Sequence, residues 1–416
     1  MIPRMSSLSP AGERVGVRGC ALIALAVLAL PAQAVDVRYG VALRTDVRTR
    51  TPLPGDMGGT VIAGDLELAP RAEVSLGIDT STLSAAYTPS LIWRDLLTGG
   101  RLIPLHRGRL AFTTRWQRAT FLISEDGAYG VADIGALRTP DEGQPGAVVP
   151  VQTIGTIPYV RSATLIGLEL RPADRFTLGL SASYSVSGSL ERTAAMPLQY
   201  GPSAIARARL GITRTDGLTT TAQVNSAHFV TGAEQLIAML TETWDRQVSR
   251  TVIFTLGAGA AFTREVVVDS QRGRPGTYSE VLPVATTSLG WRDVISGHPL
   301  RLDTSLRLAP FADRFTGFIY ERLEGRVQGE WRPARDWIAT AATGAAFAVP
   351  IGGSEQAGDR LVFGESTVAW SVKAWLLLQV SGRVLWSEQP RFGIPGLVQG
   401  VGTVSVTVHQ QDSLAW

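Results

Sequence analysis

An alternation limits most strictly what this chain can fold into. From Asp65 to Asp79, Leu66, Leu68, Pro70, Ala72, Val74, Leu76 and Ile78 fall on one parity; Asp65, Glu67, Arg71, Glu73, Ser75 and Asp79 fall on the other. A β-strand sends successive side chains to opposite faces, so this segment has a wholly apolar face and a charged one. The pattern recurs along nearly the whole chain, in segments of about 10 to 15 residues. Charged residues on one face of so many strands need water on that side. This points to an all-β transmembrane antiparallel up-and-down barrel with a polar lumen. A secreted sandwich or soluble barrel would also alternate, but its loops need not segregate as these do.

Residues 1–34 read as a secretory signal peptide: Arg4, Arg14 and Arg18 precede the apolar run Ala21–Leu30, and Ala32-Gln33-Ala34 offers a cleavage site. The apolar run is too short to span a bilayer as a helix. Cys20, the single cysteine, opens that run, so the mature chain, 35–416, is expected to carry neither a disulfide nor a thiolate metal site. The formal net charge of +3 is too small to argue for nucleic-acid binding.

The pattern predicts about 18 strands, with 16 as the alternative count. They fall near 35–49, 65–79, 81–94, 107–116, 119–126, 158–171, 177–190, 203–215, 218–228, 235–245, 251–266, 278–292, 300–310, 317–331, 337–349, 361–373, 375–387 and 398–410. The fourth and fifth are short. Gaps after odd strands are mostly long and gaps after even strands mostly short, as expected for extracellular loops and periplasmic turns. Among the short gaps, 294–299 after the twelfth strand is the longest. Arg171–Phe176 and Arg332–Trp337 read as two similar proline-bearing hairpin turns. The longest loop covers about 127–157 and either enters the lumen or lies outside. Trp116, Trp244, Trp291, Trp331, Trp337, Trp370 and Trp375 lie near predicted periplasmic strand ends, and Trp93 and Trp386 near outer ends, as aromatic belts would. The chain ends on an aromatic, Trp416, with the last residues overhanging the final strand.

Parity places Arg38, Arg44, Asp46 and Arg48 inward on the first strand, Glu67, Arg71 and Glu73 on the second, and Arg207 and Arg209 on the eighth. On the thirteenth, Arg301, Asp303 and Arg307 face Arg322, Glu324, Arg326, Gln328 and Glu330 on the fourteenth. These are the candidate channel-lining residues. They form either a hydrated conduit for anionic or polyhydroxyl solutes or a cross-strand salt-bridge ladder that stiffens the interior. A barrel of this strand number is too wide for side chains alone to fill. Catalysis is not expected: only Asn225-Ser226-Ala227-His228 groups a nucleophile with a base, and neither an orienting group nor an oxyanion site can be assigned to it. Neither a metal site nor a cofactor is expected, since the four histidines are far apart.

Together, the leader, the alternation, the loop parity and terminal Trp416 make the mature chain resemble a bacterial outer-membrane barrel of porin size. The stretch from Leu68 to Leu91 is similar to myxobacterial barrels, some encoded with polysaccharide-secretion machinery. That resemblance implies an outer-membrane conduit for a polar polymer such as secreted polysaccharide. Its implied partners are outer-membrane lipid, the barrel assembly machinery and a periplasmic polysaccharide-export protein. The competing readings are a diffusion or solute-specific porin, and a non-conducting structural barrel or lipid-modifying enzyme.

Overall fold

The alternating segments fold as antiparallel strands that close on themselves. The structure is a computed structural model that describes residues 34–50, 61–94, 101–133, 156–189, 196–267, 276–313, 318–351, 358–389 and 394–415. The leader up to Gln33, the segment 134–155 and Trp416 lie outside the described residues. The staves of the barrel are β1 (Ala34–Arg50), β2 (Val61–Ile78), β3 (Ser81–Tyr87 and Ser90–Arg94), β4 (Arg101–Arg115), β5 (Ala119–Asp133), β6 (Thr156–Ala173), β7 (Phe176–Gly188), β8 (Gln199–Gly211) and β9 (Asp216–Phe229). They continue with β10 (Glu234–Gln247), β11 (Val252–Val267), β12 (Gly276–Ile295), β13 (His298–Ala312), β14 (Ile319–Ala334), β15 (Trp337–Pro350), β16 (Asp359–Lys373), β17 (Leu376–Gln389) and β18 (Ile394–Ala415).

Each stave pairs with its sequence neighbours, and β18 returns to β1 with Ala34 opposite Ala415 and Arg50 opposite Gln399. The result is a closed barrel of 18 staves, not 16. β3 is a single stave with a nick in its ladder at Thr88-Pro89. Proline has no N–H to give, yet the register holds across it: Tyr87 faces Ala72 and Leu91 faces Leu68.

Both described chain ends lie at one end of the barrel, where the connections are two to four residues long. At the opposite end, here the loop end, they run from four to 22 residues. Turn chemistry explains several short connections. Ser296 and Gly297 both have positive φ, 52° and 83°, the conformation that matches strand twist in a two-residue hairpin. This turn is therefore tighter than the gap expected at 294–299. The two proline turns are the two-residue turns Asp174-Arg175 and Arg335-Asp336, each preceded by a register shift that takes up the proline.

Other boundaries move too. β4 and β5 are 15 residues each, not short. The loop expected over 127–157 is narrower, because β5 continues to Asp133 and β6 begins at Thr156. β18 runs to Ala415 with Leu414 paired to Val35, so the C-terminal segment completes the wall where an overhang was expected. Aromatic pairs mark the end with the short turns: Trp337 stacks on Trp370 with centroids 5.2 Å apart, and Trp244 meets Phe254 edge-on at 6.2 Å.

In a detergent extract, the folded chain should be β-rich by circular dichroism. It should also change mobility on a gel after boiling. A water-soluble monomer with one mobility would contradict a closed membrane barrel.

Candidate functional site

The two faces of the wall differ in chemistry. Exposed apolar side chains such as Tyr39, Val41 and Leu43 on β1, Leu323 and Val327 on β14, and Val380 and Val384 on β17 share one parity. The charges share the other. Side chains meet across distant staves on that second face. Ile237 on β10 and Leu282 on β12, both of the second parity, form one cluster with Ile319 at the start of β14 and Ile351 just past β15, which follow the apolar parity of their staves yet are buried against them. Residues so far apart around the wall converge only on a concave surface, so the charged face is the inside of the barrel.

On that face, Arg38 stands opposite Glu73 and Arg44 opposite Glu67. The Arg71 guanidinium donates to Glu73 at 2.7 Å, and the Ser90 hydroxyl donates to Glu67. Arg48 pairs in the ladder with Ala63 and Val401; its side chain, like that of Asp46, lies outside the described residues. Arg207 and Arg209 face Gly179 and Thr177 on β7, and Arg209 reaches across β9 to Asp245 at 2.8 Å. On β13 and β14, Arg301 is opposite Glu330, Asp303 opposite Gln328, Arg307 opposite Glu324, and Ala309 opposite Arg322. Arg301 binds Asp303 at 2.6 Å, Arg322 binds Glu324 at 3.2 Å, and Arg326 binds Glu365 on β16 at 3.2 Å.

Several contacts therefore join residues two apart in one strand, where a cross-strand ladder was the expected alternative. Arg171–Glu169 and Arg332–Glu330, at 2.7 and 2.8 Å, follow the same rule. Exposed pairs contribute roughly 0–1 kcal/mol each, too little to hold the wall. The closed backbone ladder does that.

Burial splits this inner face along the barrel axis. Toward the short-turn end, Arg71, Arg171, Arg209 and Arg301 are exposed. Toward the loop end, Ile103, Leu105, Thr263, Glu265, Phe363 and Ser387 are buried. Arg322 belongs with this second group: it is 3% exposed and its guanidinium lies 5.4 Å from the Phe311 ring centroid.

A folded-in segment supplies part of this cover. The Ile319 N–H donates to the Glu265 carboxylate on β11, past two intervening staves. The Ile351 N–H donates to the Ile319 carbonyl at 3.1 Å, and the Asp313 N–H to the Phe318 carbonyl at 2.9 Å. The segment around Phe318 and Ile319 is thus drawn inward over β12 and β13.

The inner face also holds charges that the strand-by-strand reading passed over. Arg107 and Arg109 lie on β4, with Arg109 3.6 Å from Asp126 of β5; Glu169, Asp245 and Glu365 complete other pairs. Parity on β4 alone would have found the arginines. Ser226 and His228 share the outer parity. His228 stacks on Tyr200 and lies 3.4 Å from Glu234, a polar cluster at the loop end of the outer wall.

A family model described as the EpsX exopolysaccharide export family matches residues 29–414. No curated protein matches the sequence. Among solved structures, the chain is similar to OccK2 (OpdF) of Pseudomonas aeruginosa in complex with glucuronate, at 10% identity and a TM-score of 0.47, covering 90% of this chain and 98% of that one. It is also similar to OccAB1 of Acinetobacter baumannii, at 8% identity and a TM-score of 0.48, covering 90% and 96%.

The Glu265–Ile319 tether generates a prediction. Ile319→Asp should release the inward segment, because burying an unpaired carboxylate costs several kcal/mol. Single-channel current in planar bilayers should rise; an unchanged current would mean that this segment does not limit passage.

Proposed function

The chain belongs to the EpsX exopolysaccharide export family, and from that membership and the barrel's inner face we propose that it is an outer-membrane conduit for a polar polymer, a secreted polysaccharide. The observation that carries the reading is the inner wall at the short-turn end, where exposed arginines and carboxylates stand on a concave surface. Placed in the outer membrane with that end in the periplasm, as short turns and long loops require, this mouth receives the polymer. Guanidinium groups there offer planar, forked donors to hydroxyls and carboxylates, while counter-charges two residues away keep the net field low. Weak, repeated contacts of this kind let a chain enter without being held.

The lining residues in this proposal are Arg38, Arg44, Arg48, Glu67, Arg71, Glu73, Arg207, Arg209, Arg301, Asp303, Arg307, Glu324 and Arg326, with Arg322 under the folded-in cover. The leader is removed on export, and a periplasmic polysaccharide-export protein delivers the polymer to the short-turn mouth. The cover at the loop end also favours a second reading, a solute-selective porin: the buried contacts of Ile319 and Ile351 narrow the route, and a small solute needs less movement of them than a polymer does.

Deleting the gene separates the two. Loss of surface polysaccharide with unaltered uptake of small solutes supports export; normal polysaccharide with altered uptake supports the porin. In planar bilayers, Arg209→Glu and Arg301→Glu should each shift the reversal potential under a salt gradient toward cation preference. Unchanged selectivity in both would place these arginines away from the conducting path.

A further inference from the structure

Charge is unevenly spread around the rim at the short-turn end. The turns that join β4 to β5, β6 to β7, β8 to β9 and β10 to β11 each carry one exposed arginine: Arg118, Arg175, Arg214 and Arg250. Asp174 is the one carboxylate within these four turns. The other four turns carry Arg335 against Asp336 and Asp79. The basic turns are consecutive, so they form a crescent along about half of the rim. Its charge is not neutralised within the chain. Arg118 donates through Nη1 to the Pro172 carbonyl at 3.1 Å, which ties two neighbouring turns together. Among the described residues, Arg175, Arg214 and Arg250 meet no carboxylate. Asp216, two residues past Arg214, is engaged elsewhere: Thr213 donates to it at 2.6 Å, and Arg246 lies 3.8 Å away.

The tryptophans mark the depth of this rim and take the complementary arc. Trp291, Trp331, Trp337 and Trp370 stand at the same end on β12 to β16, whereas no tryptophan falls between Trp116 and Trp244. Tryptophans of a membrane barrel sit at headgroup level. Arg118 follows exposed Trp116 by two residues, at about 3.3 Å per residue. The Arg246 guanidinium lies 5.9 Å from the Trp244 ring centroid. In the membrane placement proposed above, on which this inference rests, the crescent therefore lies at the phosphates of the periplasmic leaflet. A guanidinium fork matches a phosphate, and basic residues at a membrane surface attract anionic lipids. With Asp174 alone to meet a headgroup ammonium, the crescent favours lipids whose phosphate has no ammonium beside it. We propose that Arg118, Arg175, Arg214 and Arg250 bind the phosphates of anionic phospholipids, anchoring by charge the half of the rim that the tryptophans leave bare.

The test is native mass spectrometry of the purified barrel, titrated in detergent with phosphatidylglycerol or phosphatidylcholine. The wild type should retain phosphatidylglycerol about fivefold more than phosphatidylcholine, the preference one surface arginine gives an anionic headgroup. Replacing all four arginines by glutamine should bring the two lipids level in a barrel that is still heat-modifiable. Arg335→Gln with Lys373→Gln, on the other arc, should leave the preference intact. If the fourfold variant fails to assemble, Arg175→Gln and Arg250→Gln should each lower the preference singly. Equal retention of both lipids by the wild type overturns the proposal. So does a preference that survives the fourfold variant, or both single ones. A wild type without lipid preference that holds an acidic periplasmic protein through these arginines also overturns it, and makes the crescent a protein-docking surface. None of these results depends on what the barrel conducts, so the export reading stands or falls separately, on the gene deletion.

Discussion

The whole structure depends on the pairing of β18 with β1. In hydrocarbon, an unpaired backbone N–H or carbonyl costs several kcal/mol, and a sheet edge exposes a row of them. The ladder from Ala34–Ala415 to Arg50–Gln399 removes that edge. Once the sheet is closed, inside and outside are distinct, and the alternation of each stave becomes a division between two solvents. The charges on β1, β2, β13 and β14 then stand on one continuous concave surface.

Burial divides that surface along the axis. One half keeps guanidinium and carboxylate groups in water. The other buries Ile103, Leu105 and Phe363, and packs Ile237 and Leu282 against Ile319 in the segment tethered through Glu265. In the export reading, the first half receives the chain and the second decides when it leaves. The cover is held by a backbone donor on a single carboxylate and by a small apolar cluster.

Much of this was legible in the sequence because lipid and water lie on opposite sides of every stave. Asp65–Asp79 displays that division residue by residue, and the stave number and the parity of most charges follow from it. The reading failed where both faces are apolar. In Arg101–Arg107, Ile103 and Leu105 point inward and are buried, so the alternation disappears and β4 seemed to start at Arg107. The burial of Arg322 was hidden as well, because parity says which face a side chain takes but not that the Phe311 ring of the neighbouring stave lies 5.4 Å from its guanidinium. The run of β18 to Ala415 was masked by Gln410 and Asp412, which break the apolar parity although the backbone ladder continues through them.

The short-range charge pairs carry a consequence for how such a wall is built. Arg71 with Glu73, Glu169 with Arg171, Arg301 with Asp303 and Arg322 with Glu324 each neutralise within one strand. Such a strand holds its own counter-ion before its neighbour arrives. Hairpins can therefore be added one at a time at a growing edge without leaving a lone charge to be satisfied later. Counter-charges that must wait, such as Asp245 for Arg209 and Glu365 for Arg326, lie two staves further on, so the addition of one more hairpin completes them. Construction of the wall and neutralisation of its interior advance together.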